Sequence, residues 1–492
     1  MTLGHEQTYL QVKPPQNLLS DPTMNDTIKQ SLHLTARVAA GLTLLAVVLT
    51  GCGKSTTGHG SSAENRKDKT PPSIHVDGNR LRNGHSEIVQ LHGVSIMGME
   101  YTALGGWSPK DPYPTLVDST WPALQAWNIN VIRIPLNSVS YLGLKCVSTY
   151  TGPVFGKPGE IQDSDPSHNY KERLKEVVDR ATAEGLYVIL DLHETAPDDA
   201  KNTVNGISTQ CPTDINPLPD ADHSIDFWRA VALAYKSYPN VMFELFNDPY
   251  IDQWPYFKGD KIAAWKALRD GTEVNMYRPL WPTPEKHLWR SAGMQQLVDT
   301  VRSTGATNVI LQGGISKSAD LELWSTYRAN DPIKQTAAAW HAFPPSDAQW
   351  GDRCYSHPGP WCDDRAYEYA RNILAADYPV VVTEFGDKNA PGTVGAPFAA
   401  ALLPKLDSLS ISYLGWSFTN AAQLDYQLIK DNSGTPSDGY GQYVKAHYNC
   451  IARDILSCNN NAQQKTARSD SPLQSTPSRS DTRGRTLFVP PI

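Results

Sequence analysis

The chain has 492 residues, 40% of them hydrophobic, enough for one large core or two ordinary ones. Its net charge of -7, from 44 Lys+Arg against 51 Asp+Glu, leaves no basic excess for a nucleic-acid partner. The 13 Trp and 22 Tyr are many for this length and fit either flat or ring-shaped ligands or a large aromatic core.

Residues 1–23 show no apolar period. Met24 is a better start: Lys29 and Arg37 then precede the apolar run "AAGLTLLAVVLT", which leads into Cys52. That run is shorter than the roughly 20 residues of a membrane span and has the length of a secretory h-region. Leu49-Thr50-Gly51-Cys52 resembles the bacterial lipobox, in which the cysteine is lipidated and becomes the mature N-terminus. An ordinary signal peptide with a chance cysteine is the alternative. Residues 1–52 are thus read as a signal region. Residues 53–71, small and polar, read as a flexible tether. The resemblance implies an exported protein, lipid-anchored to a bacterial membrane.

The folded part is expected over 72–458. "SIHVDGNRLRNG" (73–84) reads as a β-hairpin with turns at Asp77-Gly78 and Asn83-Gly84, placed to plug a barrel floor. Apolar, β-branched runs then alternate with helical patterns. The runs are "IVQLHGVSI" (88–96), "NVIRIPL" (130–136), "YVILDLH" (187–193), "VMFELF" (241–246), "NVILQG" (308–313), "AAAWHAF" (337–343), "PVVVTEF" (379–385) and "ISYLGWSF" (411–418). Helices are expected over 169–185 and 289–305, both ending at glycine. Strands that are apolar throughout belong in a buried parallel sheet. Eight β/α units in this length predict an α/β fold, a (β/α)8 TIM barrel with long βα loops. A doubly wound open sheet is the alternative. The polar tail, 459–492, reads as disordered.

Cysteine usage agrees with export. With Cys52 set aside, Cys146, Cys211, Cys354, Cys362, Cys450 and Cys458 form an even set, read as disulfides. The short spacings favour 354 with 362 and 450 with 458, leaving 146 with 211. Fifteen pairings remain formally open. There is no C-x-x-C, which weighs against zinc or redox chemistry.

In a barrel the chemistry sits at the carboxyl ends of the strands. Those ends carry Arg133, His193, Asn247 and Asp248, His341, Glu384 and Trp416 in turn. Two carboxylates across a pocket, with Arg, His, Asn and Trp around them, form a glycosidase-like constellation. One acid protonates the leaving oxygen while the other attacks or activates water. Asn holds a sugar hydroxyl, Arg keeps the nucleophile ionised, and Trp offers a face to the pyranose. Glu244, inside the strand-four run, is read as structural, though it is the nearest spare carboxylate. Trp107, Trp254, Trp281 and Trp324 are candidates for stacking on sugars or for ordinary packing.

From about 85 to 450 the sequence resembles glycoside hydrolase family 5, the cellulase and mannanase family. "FELFNDP" matches the strand-four motif that ends Asn-Glu-Pro, and "VVVTEFG" the strand-seven motif that carries the nucleophile. "VIRIP", "LDLH" and "GWSF" match strands two, three and eight. The resemblance implies a retaining β-glycosidase acting on a glucan or mannan, polymer or oligosaccharide. Glu384 would be the nucleophile and Asp248 the acid/base. Arg133, His193, Asn247, His341 and Trp416 would shape the sugar subsite. No metal or organic cofactor is implied, and a monomer is expected.

Two positions depart from the family. Asp248 stands where the acid/base is Glu, and Phe343 where strand six usually carries Tyr. The missing methylene sets the Asp248 carboxyl about 1–1.5 Å farther back, unless the backbone shifts or a water intervenes. A carbohydrate-binding pseudoenzyme is therefore the rival from another class, and a transglycosylase a third reading.

Overall fold

The structure, a computed structural model, describes residues 73–101, 119–148, 159–212, 216–253, 256–276, 287–344, 360–387, 396–420 and 426–453. The signal region, the tether and the tail lie outside the described residues. So do Cys52, Cys354, Cys458, the side chain of Cys362, and Trp107, Trp254 and Trp281.

In chain order the strands are β1 (Ile74–Asp77), β2 (Arg80–Asn83), β3 (His92–Ser95), β4 (Val131–Asn137), β5 (Lys145–Val147), β6 (Ile161–Asp163), β7 (Tyr187–Glu194), β8 (Val241–Glu244), β9 (Glu273–Met276), β10 (His287–Arg290), β11 (Ile310–Gln312), β12 (Thr336–Ala342), β13 (Val380–Phe385) and β14 (Ser412–Gly415). Among the described residues β3, β4, β7, β8, β11, β12, β13 and β14 close into a parallel barrel in that order. Each of the eight apolar runs contributes one barrel strand, so the TIM-barrel expectation holds and the open-sheet alternative does not.

Period two decides which residues fill the barrel. Val131, Ile189, Met242, Ala339 and Val381 join the inner cluster. The intervening Ile132, Val188, Phe243, Ala338 and Val382 pack outward with the helices. The helix Tyr170–Ala183 shows the complementary pattern, burying Tyr170, Leu174, Val177, Val178 and Ala181 along one stripe. Closure is tight where β3 meets β4: a side-chain carbon at Gly93 would lie 1.9 Å from the Val131 carbonyl oxygen, so only glycine fits.

The hairpin of β1 and β2 covers the amino-terminal end of the barrel. Ile74, Val76 and Leu81 pack into the inner cluster. The Ile74 amide donates to the Pro239 carbonyl at 2.9 Å. Val76 is held through both backbone groups by the Gln335 side chain, at 2.7 and 3.1 Å. An isolated hairpin is marginal in water; here each buried aliphatic contributes about 1.5–3 kcal/mol. Its turn is Gly78-Asn79, with Gly78 at φ 59, one residue beyond the expected Asp77-Gly78.

One predicted helix starts late. Trp289 and Arg290 belong to β10, which pairs antiparallel with β9, and the helix runs only over Met294–Ser303. A Trp and an Arg fit both periods, and the cross-strand pairing with β9 decides. Trp324 does not face a ligand: it is fully buried, and its indole N–H donates to the Gln312 carbonyl at 2.8 Å.

Cys146 and Cys211 are disulfide-bonded across a sequence separation of 65. Cys450 is disulfide-bonded as well. Closing a loop of that length removes chain entropy worth about 4 kcal/mol in the unfolded state. Unfolding without reductant is expected to expose no thiol in the mature domain. Opening the Cys146–Cys211 bridge should lower the denaturant midpoint. Thiol titration and a urea melt with and without reductant check both; two free thiols per chain would contradict the pairing.

Candidate active site

The inward rows that are apolar at the floor become charged toward the carboxyl end. Two residues above Val131 stands Arg133. Above Ile189 stands Asp191, and His193 follows it. Above Met242 stands Glu244, and above Ala339 stands His341. The site is thus the upper layer of the barrel filling itself.

Arg133 is its hub, with no solvent exposure. Its Nε donates to Glu244 at 2.6 Å and one terminal nitrogen to Glu384 Oε1 at 2.6 Å. The other terminal nitrogen reaches Asn247 Oδ1 and Asp191 Oδ2, both at 2.9 Å. A guanidinium fork suits such planar, multi-point binding, which an ammonium cannot reproduce. Burial works against the charge, but the three carboxylates outweigh it and hold Arg133 firmly protonated.

Glu244 accepts also from the Thr383 hydroxyl at 2.8 Å and lies 3.6 Å from His341 Nε2. Against the cost of burial, Arg133 and His341 pull its pKa down to about 2. All of its partners are protein groups of the barrel interior, which fits the structural reading. Asp191 and Thr383 are members of the site that sequence reasoning missed. The signal was available: Asp191 sits in an otherwise apolar strand, two residues before His193 and on the same face.

His193 donates from Nδ1 to Asp191 at 2.8 Å, which leaves Nε2 facing the Asn247 amide nitrogen at 3.4 Å. Burial and the nearby Arg133 charge lower its pKa, so the ring is neutral. Its face stacks on Trp416, with ring centroids 5.6 Å apart and 4° between planes. Trp416 itself is half-buried, following β14 at the barrel mouth. Also missed is Glu100, in the short 3-10 turn after β3. It is fully buried, accepts from the Gly98 amide at 2.6 Å, and burial raises its pKa to about 7.

His341 joins the two carboxylates. A register irregularity between Trp340 and His341 brings His341 opposite Glu384 on β13. Bulges of this kind re-aim side chains and recur beside active sites. Its Nδ1 is 2.6 Å from Asp248 Oδ1 and 3.8 Å from Glu384 Oε2. Burial opposes protonation, yet Glu384, Asp248 and Glu244 together raise His341 to about 10, so the ring is an imidazolium.

Asp248 occupies left-handed backbone, φ 51, which Asp tolerates better than most residues. Burial would raise its pKa, but the hydrogen bond and charge of His341, helped by Lys317, outweigh this and lower it. Glu384 goes the other way: burial raises it, and His341 and Arg133 only partly offset that.

Asp248, His341 and Glu384 each offer a polar atom within 4.8 Å of the others. The two carboxylates therefore approach at least that closely, and the shorter Asp248 side chain is not set back out of reach. Retaining glycosidases hold their carboxyls about 5–5.5 Å apart and inverting ones about 6.5–9.5 Å. Three donors at such spacing also resemble a cation site, but the Arg133 guanidinium, the imidazolium and Lys317 already supply the positive charge there.

The second family departure has a packing consequence. The Phe343 ring lies edge-on to Tyr426, with centroids 5.2 Å apart. It closes on Gly386, where a side-chain carbon would come within 2.6 Å of it. The ring fills space beside the Glu384 strand with carbon and brings no hydroxyl.

All seven residues expected from the strand ends, Arg133, His193, Asn247, Asp248, His341, Glu384 and Trp416, thus meet through direct contacts at one end of the barrel. Arg133 and His193 lie within their strands, not at the last residue, because β4 continues to Asn137 and β7 to Glu194.

Comparison with known proteins places the fold in a family. The profile of the family Cellulase (glycosyl hydrolase family 5) matches residues 84–422. The chain is 24% identical over 408 residues to cellulase CelDZ1 of Thermoanaerobacterium sp, an overlap of 78% of this chain and 83% of that protein. It is 23% identical over 350 residues to endoglucanase MaCel5A of Microbulbifer sp., covering 70% of this chain and 51% of that protein. A mannan endo-1,4-beta-mannosidase of Streptomyces lividans is 26% identical over 180 residues, covering 35% of this chain and 42% of that protein. The chain spans about half the length, or less, of the last two.

Proposed function

The chain belongs to the cellulase family, glycosyl hydrolase family 5, and on that premise we propose that it hydrolyses a β-linked glucan or mannan with retention of configuration. The observation that carries this reading is the approach of Glu384 and Asp248 to within 4.8 Å around His341. So close an approach of one oxygen from each supports direct attack on the sugar over attack through an intervening water.

In the first step Glu384 attacks the anomeric carbon as Asp248 gives its proton to the leaving oxygen. The glycosidic bond breaks and a glycosyl ester of Glu384 forms. In the second step Asp248 takes a proton from water, the hydroxide attacks the same carbon, and Glu384 leaves as carboxylate. Arg133 supports Glu384 as an anion through the bond to Oε1. Asn247, fixed between Arg133 and His193, is available to a sugar hydroxyl near the reacting carbon. The exposed side of Trp416 is the platform for the ring. In the free enzyme the proton rests on His341 rather than on Asp248. Sugar binding, which displaces water from around the pair, has to return it to Asp248.

Proton NMR of the first product released from cellohexaose or mannohexaose tests the reading. A β-anomer that appears before mutarotation is expected. An α-anomer would mean single displacement. Binding of both oligosaccharides without cleavage would mean a pseudoenzyme, and products longer than the substrate in place of sugar hydrolysis would mean a transglycosylase.

We further propose that the mature chain is a monomer tethered through lipid on Cys52 to a bacterial membrane, periplasmic or cell-surface side. The supporting pattern is "LTGC" after a short apolar run, followed by a polar stretch. In the host the wild type is expected in the detergent phase, and Cys52→Ser in the aqueous phase or mislocalised. A soluble wild type beginning at any residue other than 52 would refute this.

A further inference from the structure

If Asp248 gives and recovers a proton, as the reading above requires, the groups facing its two oxygens decide when it can. Oδ1 is hydrogen-bonded to His341 Nδ1. Oδ2 faces Lys317 Nζ at 3.9 Å. Nothing in the sequence pattern of the barrel strands calls for a lysine at that point.

Lys317 is carried by an uncommon stretch of backbone. Ser316, Lys317 and Ser318 stand in succession in the left-handed region, with φ of 54, 58 and 59. Residues with side chains avoid that region, and successive ones persist only where their surroundings hold them there. Here the turn is tied at each residue. Asp252 accepts from the Ser316 amide at 2.8 Å and from its hydroxyl. The Lys317 amide donates to the carbonyl of Pro249, the residue after Asp248, at 2.7 Å. The Ser318 carbonyl accepts from the His341 amide at 3.0 Å. The turn therefore bridges the Asp248 loop and the His341 strand, and Lys317 lies between them. Its side chain is 37% exposed and that of Asp248 16%, so the pair sits at the mouth, on the solvent side of the acid.

We propose that Lys317 is the positioning residue for Asp248: it aims the outer carboxylate oxygen toward the leaving-group side and sets the alkaline limit of the first step. Nearby charges at Asp248 come from His341 at Oδ1, Lys317 at Oδ2, Glu384 across the pocket, and Asp191 and His193 on β7. Lys317 is the one among these that reaches Asp248 from the β11 side. A cation favours the ionised carboxyl. Glycosylation of a poor leaving group needs the proton that the Asp248–His341 pair shares, so its rate falls as pH rises through the loss of that proton. Removing Lys317 moves that fall to higher pH.

The test is the pH profile of kcat/KM for a cello- or manno-oligosaccharide and for the matching dinitrophenyl glycoside, in wild type, Lys317→Gln and Lys317→Arg. In Lys317→Gln the alkaline limb for the oligosaccharide should rise by roughly 0.5–1 unit, the low end for a half-exposed cation. Lys317→Arg should restore it. The dinitrophenyl limb should not move, because that phenol leaves without a proton. Carbon-13 NMR titration of the Asp248 carboxyl in the same proteins, reporting the loss of the proton shared with His341, should show the same shift without substrate. A wild type that turns over neither substrate would refute the hydrolase reading. An unmoved oligosaccharide limb and an unmoved titration in an active protein, or equal movement for both substrates, would refute the role of Lys317 alone. A purely structural lysine would lower the melting temperature or raise KM and leave both titrations in place.

Discussion

Glu384→Ala is expected to abolish turnover of every glycoside, activated or not, with a loss on the order of 10⁴–10⁶-fold, the scale of removing a covalent nucleophile. A better leaving group cannot compensate, because the missing event is attack on the anomeric carbon. The fold should persist, since Arg133 keeps Glu244, Asp191 and Asn247 as partners. Circular dichroism and a thermal melt check this. Azide gives a positive readout. It fits the space left by the carboxylate and attacks once, so the variant should form the α-glycosyl azide from a β-dinitrophenyl glycoside. A variant that still hydrolyses that glycoside at the wild-type rate would remove Glu384 from the mechanism.

The Asp248→Ala substitution should separate substrates that Glu384→Ala treats alike. Loss of general acid help typically costs about 10²–10⁴-fold. Polymer cleavage should fall by that amount, while dinitrophenyl release in the first turnover stays near wild type. Deglycosylation loses its base, so a burst of dinitrophenol should precede a slow steady state. Azide here attacks the glycosyl ester and should give the β-azide, two displacements having occurred. Asp248→Glu carries a prediction that differs from the one the sequence supports. Sequence reasoning sets the Asp carboxyl back and expects Glu to restore its reach. In the structure Asp248 already bonds His341 at 2.6 Å and lies within 4.8 Å of Glu384. An added methylene overshoots, in backbone where Glu is tolerated less well than Asp. Misplacement of about 1 Å costs up to roughly 10²-fold, so Asp248→Glu should lower polymer cleavage. Polymer cleavage by Asp248→Ala at the wild-type rate would place the acid elsewhere, with Glu244 next in line.

The barrel was legible because each strand is a short apolar run with few alternatives. The seven site residues were legible because barrel strands deliver polar groups at a known end. What stayed hidden has specific causes. Asp191 lies inside a strand, where a lone acid in an apolar run has no evident partner until Arg133 is folded beside it. The bulge at Trp340/His341, which brings His341 level with Glu384, adds no residue type that marks it. The turn carrying Lys317 contains Ser-Lys-Ser and no glycine, so nothing announces left-handed backbone there. Trp289 was read into a helix because a Trp and an Arg fit either period, and only the pairing with β9 decides.

The hairpin beneath the barrel sets a direction for the whole molecule. Residue 73 enters at the floor, next to Pro239, while Asp248, Lys317 and Trp416 ring the opposite rim. A partner or surface joined directly at Ser73 would therefore attach on the side away from the carboxylates. An attachment made there would leave the mouth free to meet a chain far too large to diffuse beneath it. Fusion or surface immobilisation at the N-terminal side should for the same reason spare activity, where attachment through the rim loops would block it.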